Sequence, residues 1–137
     1  MVVFPNAKIN IGLNVLSKRE DGFHNIESCF YPIDFCDILE LLPSDKLTFT
    51  STGIPIPGNS KENLCLKAYK LIKADFDIPA VQIHLHKIIP IGAGLGGGSS
   101  DATYTLKVLN ALFELDISDD KLEDYASQFG SDCPFFV

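Results

Sequence analysis

Residues 6–15 alternate without a break. Ala7, Ile9, Ile11, Leu13 and Val15 fall on one face, and Asn6, Lys8, Asn10, Gly12 and Asn14 on the other. A period of two predicts a strand buried on one side. The polar face is unusual, because strands are poor in Asn. Asn offers both a donor and an acceptor, so three of them with a Lys can line a polar ligand site as readily as they face solvent. Lys18-Arg19-Glu20-Asp21-Gly22 reads as a turn. Residues 23–42 hold two strand-like runs around Pro32, and residues 48–60, rich in Thr, Ser, Gly and Pro, read as extended chain plus loop. Residues 61–76 have helical spacing, with Leu64, Ala68, Leu71 and Ile72 on one side. Beyond Pro79, residues 81–86 alternate again as a strand. A helix is expected from about 100 to 114, with Ser99, Ser100 and Asp101 as capping residues. Another opens at Ser118-Asp119-Asp120 and ends at Gly130. The order, β-rich first and then mixed, predicts an α+β fold.

Composition narrows the function classes. The chain has 137 residues, 46% of them hydrophobic and 21% charged, which suits one globular domain with its own core. A net charge of −7 argues against nucleic acid as a partner. It leaves a nucleotide open, because backbone N–H groups can hold phosphate. Cys29, Cys36, Cys65 and Cys133 show no Cys-x-x-Cys spacing, so reduced thiols are expected rather than a zinc or redox motif. No apolar run reaches membrane-spanning length and the first residues do not read as a signal peptide, so no membrane partner and a cytoplasmic location are expected. The last residues, Cys133-Pro134-Phe135-Phe136-Val137, are apolar, which raises the expectation of a piece of something longer.

Residues 92–100 carry the sharpest signal: five glycines and two serines between a strand and a helix. Glycines admit positive φ and close approach of a phosphate. The helix that follows points free N–H groups and its positive dipole end at the loop. A Walker A loop is excluded, since Gly98 stands where its lysine belongs. Gly92, Gly94 and Gly97 match the dinucleotide fingerprint, but that pattern belongs in a parallel αβ alternation, which the sequence around it does not suggest. The protein-kinase signatures are absent. His84 and His86 share a strand face. With no third ligand nearby, an exposed face is the better reading than a metal pair.

Pro90-Ile91-Gly92-Ala93-Gly94-Leu95-Gly96-Gly97-Gly98-Ser99-Ser100-Asp101-Ala102 resembles the phosphate loop of the GHMP kinases, the superfamily named for galacto-, homoserine, mevalonate and phosphomevalonate kinases. The triple glycine is similar to one branch, whose members phosphorylate a cytidine-diphosphate-linked sugar alcohol. Three further segments agree with that branch. Residues 5–13 resemble its opening strand. Arg19-Glu20-Asp21-Gly22-Phe23-His24 resembles its cytidine-binding segment, with Phe in place of the usual Tyr. Gly130-Ser131-Asp132-Cys133-Pro134-Phe135-Phe136 resembles its catalytic aspartate motif.

The resemblance implies the N-terminal ATP-binding domain of that superfamily, a ribosomal protein S5 domain 2-like fold with a mixed sheet and packed helices. The family's C-terminal domain would be missing from this chain. The implied reaction is ATP-dependent phosphorylation of the 2-hydroxyl of cytidine-diphosphate-linked methylerythritol, a step toward isoprenoid precursors, with ATP and Mg²⁺ as cofactors and the metal's protein ligands open. Lys8 and Asp132 match the catalytic pair, which fits a carboxylate that accepts the hydroxyl proton and an ammonium that favours the alkoxide. Asn10, Phe23 and His24 match substrate-binding positions. Asn63, Lys87, Pro90, Gly92, Gly94, Leu95, Gly96, Gly97, Gly98, Ser99, Ser100 and Asp101 match the nucleotide site. Asn63 and Asp101 read equally as helix caps. Two rivals stay open: another small-molecule kinase of the mevalonate or homoserine type, and a non-catalytic nucleotide-binding fragment. A half on its own is expected to be weakly active or inactive.

Overall fold

In a computed structural model of the chain, every residue is described except Asp21, Phe23, Ser60 and Lys61. The elements run β1 (Val2–Val3), β2 (Asn6–Lys18), β3 (His24–Cys36), β4 (Ile38–Pro43), β5 (Thr48–Gly53), α1 (Leu64–Asp75), β6 (Val81–Lys87), α2 (Gly97–Leu112), α3 (Asp119–Ser127) and a closing 3-10 turn (Cys133–Phe136).

The core follows from the alternation in β4 and β6. Leu39 and Leu41 pair with Leu85 and Ile83, and all four point to one face. Ala68 and Ile72 of α1 and Leu106 and Leu109 of α2, spaced three or four apart, complete that core. Each fully buried Leu or Ile here contributes ~1.5–3 kcal/mol. The sheet is four-stranded and mixed, in the order β1-β4-β6-β5. β4 and β6 are antiparallel, whereas β5 and β6 are parallel. Parallel neighbours need a crossover, and α1 supplies it between β5 and β6. The glycine loop therefore does follow a β-α-β unit, an arrangement the sequence pattern did not suggest.

The first expected strand forms and is longer than its alternation, but most of its apolar face is open. β2 pairs only with β3, in a two-stranded ribbon from Asn6↔Cys36 to Lys18↔His24. Ala7 is buried, while Ile11, Leu13 and Val15 are 54%, 57% and 62% exposed. These three side chains stay open to solvent, so a period of two gives strand here without burial. Register shifts between Ile11 and Leu13 and between Val15 and Ser17 also break the strict alternation. The stretch expected to hold two runs does hold two strands, but the break falls at Asp37 and β3 runs straight through Pro32. Pro32 faces Lys8 in a ribbon whose outer edge is unpaired, so its missing N–H leaves no ladder bond unmade.

Helix starts differ in an instructive way. α1 begins at Leu64, with the Asn63 side chain accepting from the Cys65 N–H at 2.9 Å. α2 begins at Gly97, inside the glycine run, and its cap is Gly96 at φ 72°, so Ser99, Ser100 and Asp101 lie within the helix and do not cap it. Ser118 caps α3, as its position predicts. His84 and His86 lie on the outer sheet face, where Thr52 Oγ1 bonds both rings at 3.1 and 2.8 Å. Among the described residues no cluster of His, Cys, Asp or Glu is arranged to hold a metal.

Candidate active site

The loop after β6 is built around glycines that its neighbours require. A Cβ on Gly96, already at φ 72°, would come within 2.9 Å of Phe136 Cζ and 3.1 Å of Lys8 Cγ. A Cβ on Gly97 would come within 2.9 Å of Ile89 Cγ2 and 3.0 Å of Lys87 Nζ. At Gly98 the nearest atom is Leu64 Cδ1 at 3.9 Å, so that glycine opens outward. Beside the loop lies a cavity of about 490 Å³. Its walls include Phe49, Ile56 and Pro57 on one side and Asn63 at the start of α1, with the loop from Pro90 to Ser99 as the other side. An apolar wall opposite a loop and helix start rich in backbone N–H groups suits a flat ring joined to phosphates.

The structure brings most of the expected nucleotide residues to this cavity. Pro90, Gly92, Gly94, Leu95, Gly96, Gly97, Gly98 and Ser99 line it, as do Asn63, Lys87 and Asp101. Asn63 is a helix cap and a wall residue at once. Ser100 differs: it is fully buried, stands outside the lining, and its Oγ has no hydrogen-bond partner among the described residues. A helix that starts at Gly97 turns position 100 inward.

Lys87 sits behind the loop and is only 3% exposed. Its ammonium donates to Asp37 Oδ2 at 2.5 Å and to Asp101 Oδ2 at 2.7 Å. Burial opposes the charge on Lys87, but Asp101 and then Asp37 outweigh it and hold its pKa above the ordinary lysine value. Burial pushes the Asp101 carboxyl up to about 7 against the pull of Lys87, and the charge on Asp37 adds to the rise. No sequence signal marked Asp37. The break between the two strand runs was expected at Pro32, and only the tertiary structure shows Asp37 buried on Lys87.

On the other side of the loop, β2 carries Lys8. Its side chain is 5% exposed, and its ammonium donates to Asn10 Oδ1 at 2.6 Å. It lies 3.3 Å from Asp132 Oδ2 and 4.5 Å above the centre of the Phe30 ring. Asn10 is held in turn by Ser28, which accepts from its Nδ2 at 3.0 Å and donates to the Gly12 carbonyl at 2.7 Å. This chain of bonds fixes the amide with its oxygen toward Lys8. Asp132, 36% exposed, opens onto a second cavity of about 640 Å³. Arg19, His24 and Ile26 from the ribbon line it, with Phe30, Gln128 and Phe129. His24 thus shares a cavity with Asp132, whereas Phe23 lies outside the described residues. Phe30 was not legible in advance. Its T-shaped packing on Phe135 and its place under Lys8 depend on how the ribbon meets the closing turn.

One backbone contact joins β2 to the loop. The Lys8 N–H donates to the Leu95 carbonyl at 2.9 Å, which ties the catalytic candidate to the glycine loop. An exposed carboxylate beside a buried ammonium can accept a proton from a hydroxyl and steady the resulting negative charge. The donor set does not fit a divalent cation held by protein ligands. Asp101 and Asp37 each give one oxygen to Lys87, and among the described residues no three His, Cys, Asp or Glu side chains converge.

The family model for the GHMP kinases N terminal domain matches residues 63–137. Over its full length the chain is 59% identical to 4-diphosphocytidyl-2-C-methyl-D-erythritol kinase of Cytophaga hutchinsonii and covers 51% of that protein. It is 56% identical to the enzyme of the same name from Parabacteroides distasonis, again covering all of this chain and 51% of the other. A crystal structure of 4-(cytidine 5'-diphospho)-2C-methyl-D-erythritol kinase superposes on 99% of the chain and 48% of its own, with TM-score 0.81 and 38% identity. The chain spans about half the length of these relatives.

Proposed function

Because this chain belongs to the GHMP kinase family, we propose that it forms the nucleotide-binding half of a kinase that phosphorylates the 2-hydroxyl of 4-diphosphocytidyl-2-C-methyl-D-erythritol with ATP. The names of its relatives support this substrate, and the isoprenoid-precursor role follows from it. The observation that carries the reading is the Lys8–Asn10–Asp132 group, joined to the glycine loop through the Lys8 N–H and the Leu95 carbonyl.

In this reading, the adenine lies against Phe49, Ile56 and Pro57, and the loop N–H groups at the start of α2 take the phosphates. The cytidine end lies in the cavity with His24. Asp132 accepts the hydroxyl proton, and the Lys8 ammonium favours the attacking oxygen as its negative charge develops. Phosphoryl transfer asks mostly for positioning and charge stabilisation, which this arrangement supplies on one braced loop. Mg²⁺ enters with ATP as part of the substrate, and the reaction takes place in the cytoplasm. The rest of the relatives' length supplies a second domain that closes the substrate side, so this chain alone turns over weakly or not at all.

Coupled kinase turnover tests the proposal, on this chain and on a version continued to the full length of its relatives. The extended protein is expected to consume ATP with the cytidine-linked substrate and its Asp132→Ala variant to lose at least ~10²-fold. Turnover only with mevalonate or homoserine would leave the family and remove the substrate. Equal turnover by both lengths would remove the need for the second half.

A further inference from the structure

Asp37 is fully buried and lies between β3 and β4, away from both cavity linings. Its Oδ1 accepts from the Ile88 and Ile89 N–H groups at 2.5 and 2.9 Å, and its Oδ2 from the Lys87 ammonium at 2.5 Å. Its own N–H donates to the Pro5 carbonyl at 2.9 Å. Three consecutive residues, where β6 hands over to the glycine loop, therefore hang on one carboxylate. Asp37 reaches the cleft through them and through its charge on Asp101.

The charges around it do not balance. Two enclosed carboxylates, Asp37 and Asp101, face one ammonium, with all three side chains no more than 5% exposed. With both acids ionised, the floor of the cleft carries one excess negative charge below Gly97, where a phosphate would have to come close. One proton on the pair removes it. Asp101 has room for that proton, since its Oδ1 is buried without a hydrogen-bond partner among the described residues. Burial first, and then the charge on Asp37, favour the protonated form of Asp101, whose carboxyl is pushed up to about 7. From α1, Cys65 also faces Asp101. Burial pushes that thiol up to about 12, so it stays neutral. On α2, the Thr105 hydroxyl bonds the Asp101 carbonyl.

We propose that Asp37 is a positioning residue for the nucleotide: it fixes Lys87 and the start of the loop, and by sharing Lys87 it leaves Asp101 to take up a solvent proton when polyphosphate binds. The inference rests on the reading of the cleft as the nucleotide site. It predicts that binding and proton uptake are linked, each favouring the other.

Titration calorimetry with the β,γ-imido analogue of ATP tests this, at pH 6 and pH 8, in two buffers of different ionisation enthalpy. Excess Mg²⁺ keeps the analogue's own phosphates ionised. The wild-type chain is expected to bind about fivefold tighter at pH 6 than at pH 8, which a one-unit rise in the Asp101 pKa from about 7 on binding gives, and to take up protons near pH 7. Asp101→Asn sets the baseline without that proton. In Asp37→Asn, Lys87 belongs to Asp101 alone, which then gives up its proton at lower pH, so the pH dependence and the uptake should both shrink. If Asp37→Asn keeps the wild-type pH dependence, or weakens binding by one factor at both pH values, Asp37 is only a structural anchor and the proposal fails. If that variant does not fold, the wild-type and Asp101→Asn uptakes decide, and equal uptakes overturn it. A wild-type chain that binds no analogue at either pH removes the nucleotide reading, and this inference with it.

Discussion

Gly97 and Gly98 are neighbours in sequence and opposites in surroundings, so alanine at each should separate folding from binding. At Gly97 the new methyl meets Ile89 Cγ2 at 2.9 Å, Lys87 Nζ at 3.0 Å and Ile89 Cβ at 3.1 Å. Ile89 is fully buried, and Lys87 is held between two carboxylates, so neither steps aside freely. Overpacking of this kind costs ~1–3 kcal/mol. Alanine recovers up to ~1 kcal/mol of helix propensity, less at a first helical position. The net expectation for Gly97→Ala is a loss of ~1–2 kcal/mol, seen as a fall in Tm of ~3–10 °C for a domain of this size. At Gly98 the methyl meets only Leu64 Cδ1 at 3.9 Å, so Gly98→Ala should melt at or slightly above the wild-type temperature. That methyl stands in the cleft wall, where it keeps a phosphate from the backbone N–H groups. Each charge-assisted hydrogen bond lost there is worth ~1.5–3 kcal/mol, so nucleotide affinity should fall about tenfold or more. Thermal melting of both variants, with and without nucleotide, reads both effects. A Gly97→Ala protein that melts with the wild type, or a Gly98→Ala protein that melts well below it, would refute the packing argument.

Two further outcomes follow from the same geometry. Phe30→Leu keeps apolar bulk against Phe135 but removes the ring under the Lys8 ammonium, a contact worth ~0.5–2 kcal/mol. Turnover of the extended protein should fall ~2–30-fold while nucleotide affinity stays within about twofold, and unchanged turnover would show that Lys8 needs no ring beneath it. Asp101 should also shape stability against pH. Its folded pKa, raised to about 7, lies above the ordinary value of 3.8, so the folded state holds the proton longer than the unfolded one. Its contribution is therefore fully present below pH 3.8 and lost as pH rises through about 7. Asp101→Asn lacks this loss, so its melting temperature should gain on the wild type between about pH 4 and 7 and stay level above that. A constant difference across the range would place the Asp101 pKa near its ordinary value.

What the sequence revealed tracks how local each signal is. The Ser118 cap, the alternation of β6 and the periodicities of α1 and α2 are decided within a few residues, and all four formed as read. The start of α2 was missed because three glycines score poorly as helix, while tight packing against Ile89, Lys87, Phe136 and Lys8 fixes Gly96 and Gly97 as its first turn. The burial of β2 was misread because alternation reports which side chains share a face, not whether anything covers it. Likewise, parallel pairing of β5 with β6 is a tertiary fact, and β5 itself is a polar stretch with one strong apolar residue, Phe49. Asp37 and Phe30 gain their meaning from partners 50 and 105 positions away, Lys87 and Phe135.

The glycine loop is held at both ends by residues that its own sequence does not contain. Before the loop, Asp37 grips the N–H groups of Ile88 and Ile89. Near its far end, the Leu95 carbonyl accepts from the Lys8 N–H, and Gly96 packs on Phe136 and the stem of Lys8. Phe136 belongs to the turn that starts directly after Asp132. One stretch of loop backbone thus touches both the strand that carries Lys8 and the turn that follows Asp132. The distance between the glycine loop and the Lys8–Asp132 pair is then set by main-chain and packing contacts rather than by long side chains in solvent. In a transfer reaction governed by placement, where an ångström matters, a glycine that admits no Cβ works as a spacer of fixed length.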